Sequence, residues 1–344
     1  MKKILFIITK SQNGGAQKWT KEQIEICNEY FECFLATDTN GWLPKNVYTQ
    51  KTFLNTLIRK RFCLQYLLKL NKFISENQIN LIIASSANAG IYARLIKLLN
   101  RKVKVVYVSH GWSSIYNGGK LGFLYTFIEK QLSKISESVL CVSKKDYNNA
   151  KNIIKINENK LKWITNKIYP INNSKNPKIK NGNIKILTVA RLEYPKRVDL
   201  LIKATKNLDD MELHIIGDGS QRNYLESIKH KNVVFHGEID AFDDFVSYDL
   251  FALISDSEGL PLSALEAMST GLPLILSDVG GCFELINKNG VLVQNNIEEI
   301  KKAINTCILN QKEFSKKSLE FYDEMYNLGI NKQVYIDYYK NIGV

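Results

Sequence analysis

Residues 257–268 read Ser-Glu-Gly-Leu-Pro-Leu-Ser-Ala-Leu-Glu-Ala-Met, and this stretch decides the fold. It follows an apolar run, 249–254, that predicts a buried strand, and its own pattern predicts the start of a helix. Gly259 lets the backbone approach a ligand closely, and Pro261 suits the first turn of a helix. Because free amides at a helix start attract anions, the stretch predicts a phosphate-binding site at the carboxyl end of a strand.

Two glutamates flank this predicted helix start. Glu258 lies just ahead of it and Glu266 lies about two turns inside it, so both can face the same predicted ligand site. Carboxylates are well suited to accept hydrogen bonds from paired sugar hydroxyls. The alternative is one favourable charge at a helix N-terminus and one surface charge.

Strand-length apolar runs alternate with helix-length amphipathic segments along all 344 residues. This pattern predicts an α/β protein with two Rossmann-like domains, each a parallel sheet covered by helices, and a ligand cleft between them. A segment rich in Asn, Pro, Lys and Gly, 170–183, is the predicted linker. The predicted strands are 3–8, 31–37, 79–85, 103–109, 138–142, 184–190, 212–216, 232–236, 249–254, 273–276 and 290–293.

Composition excludes several classes of protein. Hydrophobic residues make up 45% and charged residues 24% of the chain, and no run approaches the roughly 20 apolar residues of a transmembrane helix. The six cysteines are scattered, without a C-x-x-C pair, which argues against a zinc site or a disulfide framework. We therefore expect a cytoplasmic protein.

Charge is divided unevenly between the two halves. Residues 1–180 hold 30 basic and 10 acidic residues, a net +20, whereas residues 181–344 hold 17 and 24, a net −7. A basic half can serve nucleic acid, anionic lipid or an acidic substrate, and nucleic acid is disfavoured because no stacking motif accompanies the lysines. A predicted basic amphipathic helix, 53–74, is either a surface helix packed on its own sheet or a membrane-docking element.

Cations follow the strand predicted at 184–190. Arg191 and Lys196 lie at its carboxyl end, where α/β sheets bind ligands. Arginine offers a two-pronged donor and lysine a point charge, so together they can orient and neutralise a diphosphate. A surface cation cluster is the competing interpretation.

Glycines and a histidine mark other strand ends. Gly14 and Gly15 follow the first strand, Gly217 begins a Gly-Asp-Gly turn, and His110 follows the strand at 103–109. The glycines either bring backbone amides close to phosphate or sugar, or serve as plain turn residues, since none fits the full G-x-G-x-x-G pattern. His110 differs from the other histidines because its strand points at the predicted cleft.

As a set, these residues resemble the retaining GT-B glycosyltransferases of family 4, which include bacterial capsule, lipopolysaccharide and glycolipid enzymes. The matching stretches, in family order and spacing, are Val-Ala-Arg-Leu at 189–192 with Lys196, the turn at 217–219, Asn-Val-Val-Phe-His-Gly at 232–237, Glu258 with Glu266, Gly-Leu-Pro at 271–273, Ser-Asp-Val-Gly-Gly at 277–281, Gly14-Gly15 and Ser-His-Gly-Trp at 109–112. The resemblance implies an acceptor-binding domain over 1–169, the linker 170–183, a nucleotide-sugar-binding domain over 184–322, and a helix in 323–344 that returns to the first domain.

The resemblance also implies residue roles. Arg191 and Lys196 would bind the donor diphosphate, Glu266 the ribose hydroxyls and Glu258 the donor sugar, while His110 would line the reacting centre. Four of these, His110, Arg191, Lys196 and Glu258, are the implied catalytic residues. Further donor contacts would come from Gly14, Gly15, Gly217, Gly259, Leu260, Pro261, Leu262 and Ser263.

The implied activity is retaining transfer of a hexose or N-acetylhexosamine from a nucleoside-diphosphate sugar, UDP-sugar by family frequency. The implied acceptor is a hydroxyl of a glycan or lipid-linked oligosaccharide in bacterial surface polysaccharide synthesis. With such an acceptor, we expect the basic half to meet the cytoplasmic face of the inner membrane. No D-x-D motif is present, and we expect no metal ion and no cofactor. The alternatives are a GT-B sugar-nucleotide epimerase and a non-catalytic basic binding protein.

Overall fold

The computed structural model describes residues 1–112, 115, 122–171 and 183–343. The chain forms two compact units, one of residues 1–166 and 331–344 and the other of residues 167–330. Most of the predicted linker, 172–182, lies outside the described residues. No helix within the described ranges has the length and apolar character needed to cross a bilayer.

The boundaries of the second unit differ from the predicted 184 and 322. Ile168 belongs to the second unit because its backbone N–H donates to the carbonyl oxygen of Tyr326 at 3.0 Å. Its own carbonyl oxygen accepts from the Tyr322 hydroxyl at 2.8 Å. These contacts tie the segment that enters the second unit to the helix that leaves it, so the chain returns to the first unit at 331 rather than 323.

The first unit is built on a parallel sheet that has seven strands in the described part of the chain, in the order β3-β2-β1-β4-β5-β6-β7. Its strands are β1 (Lys3–Ile7), β2 (Glu32–Thr37), β3 (Lys51–Leu54), β4 (Leu81–Ala84), β5 (Lys104–Ser109), β6 (Ser138–Cys141) and β7 (Leu161–Trp163). Its helices are α1 (Gly15–Cys27), α2 (Trp42–Lys45), α3 (Leu64–Glu76), α4 (Ala87–Leu99), α5 (Gly122–Ile135) and α6 (Lys144–Asn149), with a π-helical turn at Ala150–Ile154.

Two of these strands, β3 and β7, were not predicted. Both are edge strands, each paired with one neighbour, and most of their side chains are exposed or half-buried. An edge strand needs no continuous apolar run, so it lacks the pattern that predicts the inner strands. The inner strands were all predicted within about two residues, as expected of sequence-based boundaries.

The predicted helix over 53–74 is wrong in its first half. Phe53 lies in β3 opposite Ala36, and a 3₁₀ turn follows at Thr56–Arg59. The Asn55 side chain accepts from the backbone N–H of Leu57 at 3.1 Å and so starts this turn. A helix begins only at Leu64.

The second unit is a parallel sheet in the order β10-β9-β8-β11-β12-β13, counted over the described residues. Its strands are β8 (Ile184–Val189), β9 (Met211–Ile216), β10 (Val233–Gly237), β11 (Leu250–Leu253), β12 (Leu274–Ser277) and β13 (Gly290–Val293). Its helices are α7 (Val198–Thr205), α8 (Arg222–Ser227), α9 (Leu262–Ser269), α10 (Ile297–Leu309), α11 (Gln311–Met325) and α12 (Leu328–Asn331).

Each inner strand of this second sheet is buried on both faces. In β8, Ile186 packs in the core on one face and Leu187 packs in the core on the other. The same alternation places Ala252 and Leu253 of β11 in the two cores. Helices on both faces of a parallel sheet produce this pattern, and it explains why the inner strands read as continuous apolar runs.

The last helix, α13 (Gln333–Gly343), packs on the first unit through its tyrosines. The hydroxyl of Tyr335 donates to the carbonyl oxygen of Thr165 at 3.2 Å, and that of Tyr339 to Gln23 Oε1 at 2.8 Å. These hydrogen bonds satisfy buried hydroxyls. The aromatic face of the tail is therefore a docking face on the first unit.

Candidate functional site

An ion pair joins two of the predicted site residues in the second unit. Lys196 Nζ contacts Glu258 Oε1, and the two side chains are 17% and 10% exposed. The loop that carries Lys196 is fixed on β11, because the backbone N–H of Arg197 donates to the carbonyl oxygen of Ile254 at 2.9 Å. The sequence separates Lys196 from Glu258 by 62 positions, and adjacency of β8 and β11 brings them together.

A polar network supports the loop that leads to Glu258. The Ser255 backbone N–H donates to Ser277 Oγ at 2.9 Å, and the Ser255 hydroxyl lies 3.0 Å from the carbonyl oxygen of Ser257. Asn295 Nδ2 donates to the carbonyl oxygen of Ser255 at 2.9 Å, and Asn295 Oδ1 accepts from Ser277 at 2.6 Å. Neither Ser277 nor Asn295 was predicted as a site residue. Ser277 lies in the matching stretch 277–281 and ends β12, and Asn295 follows the end of β13, which is the signal used for other residues.

Two glycines lie directly beneath Glu258 and Gly259. Gly280 has φ +55°, and a Cβ there would overlap the carbonyl oxygen of Glu258. The backbone N–H of Gly281 donates to the carbonyl oxygen of Gly259 at 2.8 Å. Only glycine accommodates both the left-handed backbone and this close approach, so the 279–281 turn holds the loop in place.

The helix start that follows has free amides and no acidic side chain in its first turn. Pro261 is the N-cap residue of α9 rather than part of its first turn, and the helix begins at Leu262. Leu260 and Pro261 are buried, whereas Leu262 and Ser263 are half-buried. Such a helix start favours an anion.

Glu266 and Arg191 lie in different environments. Glu266 is inside α9 and 8% exposed. Arg191 has a side chain that is 78% exposed, and its Nη1 lies 2.6 Å from Glu193 Oε1. The structure therefore brings Lys196 and Glu258 together and directs Arg191 at a neighbouring surface carboxylate.

Gly217 has a packing role. Its φ is +132°, and a Cβ there would overlap the carbonyl oxygen of Ala190. The next turn residue, Asp218, accepts from the backbone N–H of Leu192 at 2.9 Å. The turn thus supports the loop that carries Arg191, and ligand contact by Gly217 stays a prediction.

In the first unit, Gly14 and Gly15 begin α1. Gly14 is the N-cap residue in an extended conformation, φ 172°, and its carbonyl oxygen accepts from the backbone N–H of Lys18 at 2.9 Å. A Cβ on Gly14 would meet only Gln17 Oε1, at 2.8 Å, the movable end of a side chain. The fold therefore does not require glycine at this position.

Asp38 is a site residue candidate that was missed from sequence. It follows β2, its side chain is fully buried, and it accepts from the Ser11 backbone N–H at 3.0 Å and from Arg59 Nε at 2.7 Å. Burial raises the pKa of Asp38, but hydrogen bonds from Ser11, Arg59 and Thr39 outweigh burial and lower it below its usual value. The carboxylate anchors the loop that leads from β1 to Gly14.

His110 lies just after β5, as predicted, and its Nε2 is buried without a hydrogen-bond partner in the described part of the chain. Its ring packs edge-on against Trp19 with centroids 5.0 Å apart. Burial lowers the pKa of His110 to about 4, because a buried site disfavours the imidazolium. His110 is therefore neutral near pH 7 and can bind a hydroxyl but cannot balance a phosphate charge.

Other polar atoms at this edge of the first sheet are also unpartnered within the described residues: Asn13 Oδ1, Ser85 Oγ, Ser109 Oγ and Asn166 Oδ1. Ser85 and Ser109 lie at the carboxyl ends of β4 and β5, whereas Asn13 and Asn166 lie in the loops that follow β1 and β7. Buried polar atoms are nearly always hydrogen-bonded in folded proteins. These atoms are therefore available to a ligand at the edge of the sheet where α/β proteins bind ligands.

Comparison with known proteins identifies the family. A sequence model of glycosyl transferases group 1 matches residues 171–326, and a model of glycosyltransferase family 4 matches residues 29–169. The Escherichia coli O-antigen biosynthesis glycosyltransferase WbnH is 44% identical over 305 residues, which cover 87% of this chain and 88% of WbnH. This chain belongs to glycosyltransferase family 4.

Two more distant proteins are similar over most of this glycosyltransferase. An E. coli UDP-Gal:alpha-D-GlcNAc-diphosphoundecaprenol alpha-1,3-galactosyltransferase is 25% identical over 86% of this chain and 84% of its own. The crystal structure of Anabaena HepE in complex with UDP aligns with TM-score 0.82 and 20% identity, covering 99% of this chain and all of HepE. The predicted GT-B class, two Rossmann-like parallel-sheet domains, is confirmed.

The charged groups of this glycosyltransferase site define what it can do chemically. No group of three or more His, Cys, Asp or Glu residues in the described ranges is placed to hold a metal ion. Lys196 and the free amides of α9 offer positive charge at one strand end, and the half-buried Glu258 before α9 and the buried Glu266 within it carry carboxylates. Such a set suits a ligand that carries both phosphate and hydroxyl groups.

Proposed function

We propose that this protein is a retaining, metal-independent glycosyltransferase that uses a UDP-sugar and acts in bacterial O-antigen synthesis. Its acceptor is a hydroxyl of a lipid-linked oligosaccharide, presented at the cytoplasmic face of the inner membrane. The observation that carries the proposal is the Lys196–Glu258 pair at the entrance to α9.

Lys196 stabilises the leaving nucleoside diphosphate. An ammonium group has three N–H donors, so Lys196 can hold Glu258 with one and phosphate oxygens with the others. Negative charge grows on the diphosphate as its bond to the anomeric carbon breaks, and a fixed cation in a poorly hydrated site stabilises that charge most in the transition state. The amides at the start of α9 act in the same direction.

Arg191 completes the charge balance in this proposal. Its side chain is largely exposed, so it can turn from Glu193 to the diphosphate without leaving a buried acid unpaired. With Lys196, Arg191 and a helix start, the donor phosphates have three sources of positive charge in the chain itself, which supports metal independence.

The two carboxylates have different roles. Glu258 orients the donor sugar, and Glu266, four residues beyond the first helical residue, binds the ribose hydroxyls. Retention at the anomeric carbon is the outcome that the family resemblance implies. His110, neutral near pH 7, donates or accepts a hydrogen bond with a sugar hydroxyl.

The acceptor proposal rests on the first unit and on the relatives. The unpartnered polar atoms after β1, β4, β5 and β7 match a hydroxyl-rich ligand. WbnH is an O-antigen enzyme, and the similar galactosyltransferase is named for a GlcNAc-diphosphoundecaprenol acceptor. A basic unit suits an acceptor that carries a diphosphate at an anionic membrane.

The donor part is tested by thermal shift with a panel of nucleoside diphosphates and their sugars in EDTA. We expect UDP and one UDP-sugar to stabilise the protein, since a ligand that binds the folded state raises its melting temperature. Lys196→Ala and Glu266→Ala should abolish the shift, and Glu298→Ala, an exposed acid on α10, should retain it. The proposal is contradicted if no nucleotide raises the melting temperature, or if a nucleotide does so only after a divalent ion is added.

The transfer part is tested with the stabilising UDP-sugar and a GlcNAc-diphosphate lipid. We expect a disaccharide product whose anomeric configuration, read by NMR coupling, equals that of the donor. Release of an epimerised sugar nucleotide without any acceptor would instead establish the epimerase alternative. An inverted product would overturn retention and leave transfer intact.

A further inference from the structure

We propose that α5 and the π-helical turn at Ala150–Ile154 form the surface by which the first unit binds an anionic lipid bilayer. The proposal rests on the proposed function only for the lipid-linked acceptor that would give such binding a purpose. It replaces the predicted helix over 53–74, whose first half is a strand and a turn, as the docking element.

The polar side of α5 faces inward. Arg94, fully buried on α4, pairs with Glu129 at 2.9 Å, and its guanidinium also lies 4.3 Å from the ring centroid of Tyr107. Ser133, one turn further on, is buried as well. This ion pair thus fixes the rotation of α5, with Glu129 toward α4.

The outward side of α5 is apolar. Phe123 is 76% exposed and Phe127 58%, and Leu124 and Ile128 beside them are also exposed. Ile153 of the π-helical turn, 52% exposed, continues this surface. Side chains three and four residues apart lie on the same face of a helix, and positions 123, 124, 127 and 128 are related by these spacings, so they form one patch rather than scattered residues.

An open groove of about 500 Å³ separates α5 from the π-helical turn. Its lining residues include the apolar Phe123, Phe127 and Ile153 and the basic Lys130 and Lys155. A groove lined by apolar and basic residues is suited to acyl chains and anionic headgroups.

Charge in this region complements an anionic surface. Residues 122–163 contain eight lysines and four acidic residues. Three of the acids are paired, Glu129 with Arg94, Glu137 with Lys97 and Glu158 with Lys151, and the fourth, Asp146, is buried. Lysines near an anionic leaflet strengthen binding to it, which favours a bilayer over a neutral or basic protein partner.

A comparable patch on α3 supplies a matched control. Leu64 is 57% exposed and Leu68 55%, on a helix whose own apolar face packs in the core of the first unit. In α5, by contrast, Ser133 is the one buried side chain among the described residues of the helix. Both patches have exposed apolar side chains and nearby basic residues, so the groove between α5 and the π-helical turn is what distinguishes α5.

The test is co-sedimentation with phosphatidylcholine vesicles, with and without phosphatidylglycerol, at physiological salt. We expect the wild type to bind the anionic vesicles and Phe123→Asp/Phe127→Asp to lose about tenfold or more in affinity. Leu64→Asp/Leu68→Asp should bind like the wild type. Lys130→Glu/Lys155→Glu should weaken binding to anionic vesicles and leave binding to neutral ones unchanged.

Three results would overturn the proposal: no vesicle binding by the wild type, equal binding by both leucine and phenylalanine variants, or loss confined to the α3 variant. Melting temperatures and the UDP thermal shift are measured on the same preparations, since all four substituted apolar side chains are exposed and the donor residues lie in the other unit. Failure of the UDP shift with intact vesicle binding would count against the proposed function alone.

Discussion

The two units of the chain present their candidate sites in opposite states. In the second unit the polar groups already have partners. Lys196 forms an ion pair with Glu258, and Ser255 hydrogen-bonds to Ser277 and to the carbonyl oxygen of Ser257. In the first unit, His110 and Ser109 keep buried polar atoms without partners among the described residues. The difference shows that the Lys196–Glu258 pair is organised by its own charges, whereas the first unit leaves polar atoms that hydroxyl groups of the proposed ligand would satisfy.

The largest expected effect is loss of the fixed cation in the second unit. Lys196→Ala removes charge from the developing diphosphate and leaves Glu258 buried without its partner, so kcat/KM should fall by about 10³ or more. Steady-state transfer kinetics check this. Lys203→Ala, which removes an exposed lysine paired with Asp199 at 3.5 Å, is the control and should change kcat/KM little. A loss below about fivefold would show that the charge pair does not organise the site.

The next largest effect compares an alanine substitution at one glycine in each unit. Gly280→Ala should lower the free energy of unfolding by about 1–3 kcal/mol and abolish UDP binding, because its Cβ would overlap the Glu258 carbonyl at a left-handed φ. Gly14→Ala should be nearly neutral for stability, since Gly14 is extended and faces the movable end of Gln17. Chemical denaturation and UDP thermal shift measure both. If both variants lost the same amount of stability and of UDP binding, the proposed difference between the two sites would be wrong.

The buried His110 of the first unit should make the free energy of unfolding depend on pH. His110 has a folded pKa of about 4 and an ordinary unfolded pKa near 6.5, so the unfolded state binds more protons between these values. Stability is therefore retained above about pH 6.5 and falls as the pH drops toward 4, by about 1 kcal/mol near pH 5.5. His110→Phe, which keeps an aromatic edge on Trp19, should remove this part of the slope. Parallel denaturation curves for wild type and variant across that window would show that His110 is not buried as described.

The smallest effect compares two buried serines. Ser109→Ala removes an unpartnered hydroxyl, so the free energy of unfolding should stay the same or rise by about 1 kcal/mol, while KM for the acceptor increases. Ser255→Ala removes a hydroxyl that lies 3.1 Å from the Pro195 carbonyl, so stability should fall by about 1–3 kcal/mol. A Ser109→Ala variant that is destabilised with an unchanged KM would mean that the hydroxyl is structural.

Much of the candidate donor site is predicted from the sequence because its signals are local. An apolar run that ends in Gly, Arg, Lys or Glu identifies the carboxyl end of a parallel strand, and such ends meet at one edge of the sheet. Edge strands β3 and β7 were missed because they are only partly buried. Asp38, Ser277 and Asn295 were missed because their importance depends on which loops they join, and those loops are far apart in sequence.

The sequence by itself determined the α/β class, the two-unit organisation, the inner strands and a helix that starts near Pro261, because hydrophobic periodicity and the residues at strand ends are properties of neighbouring positions. Tertiary structure alone decided that Lys196 pairs with Glu258 while Arg191 pairs with Glu193, that Gly280 lies against the Glu258 carbonyl, and that α5 turns Glu129 toward Arg94. These contacts depend on strand order and helix rotation, which are fixed by packing between distant segments and carry no local pattern in the chain.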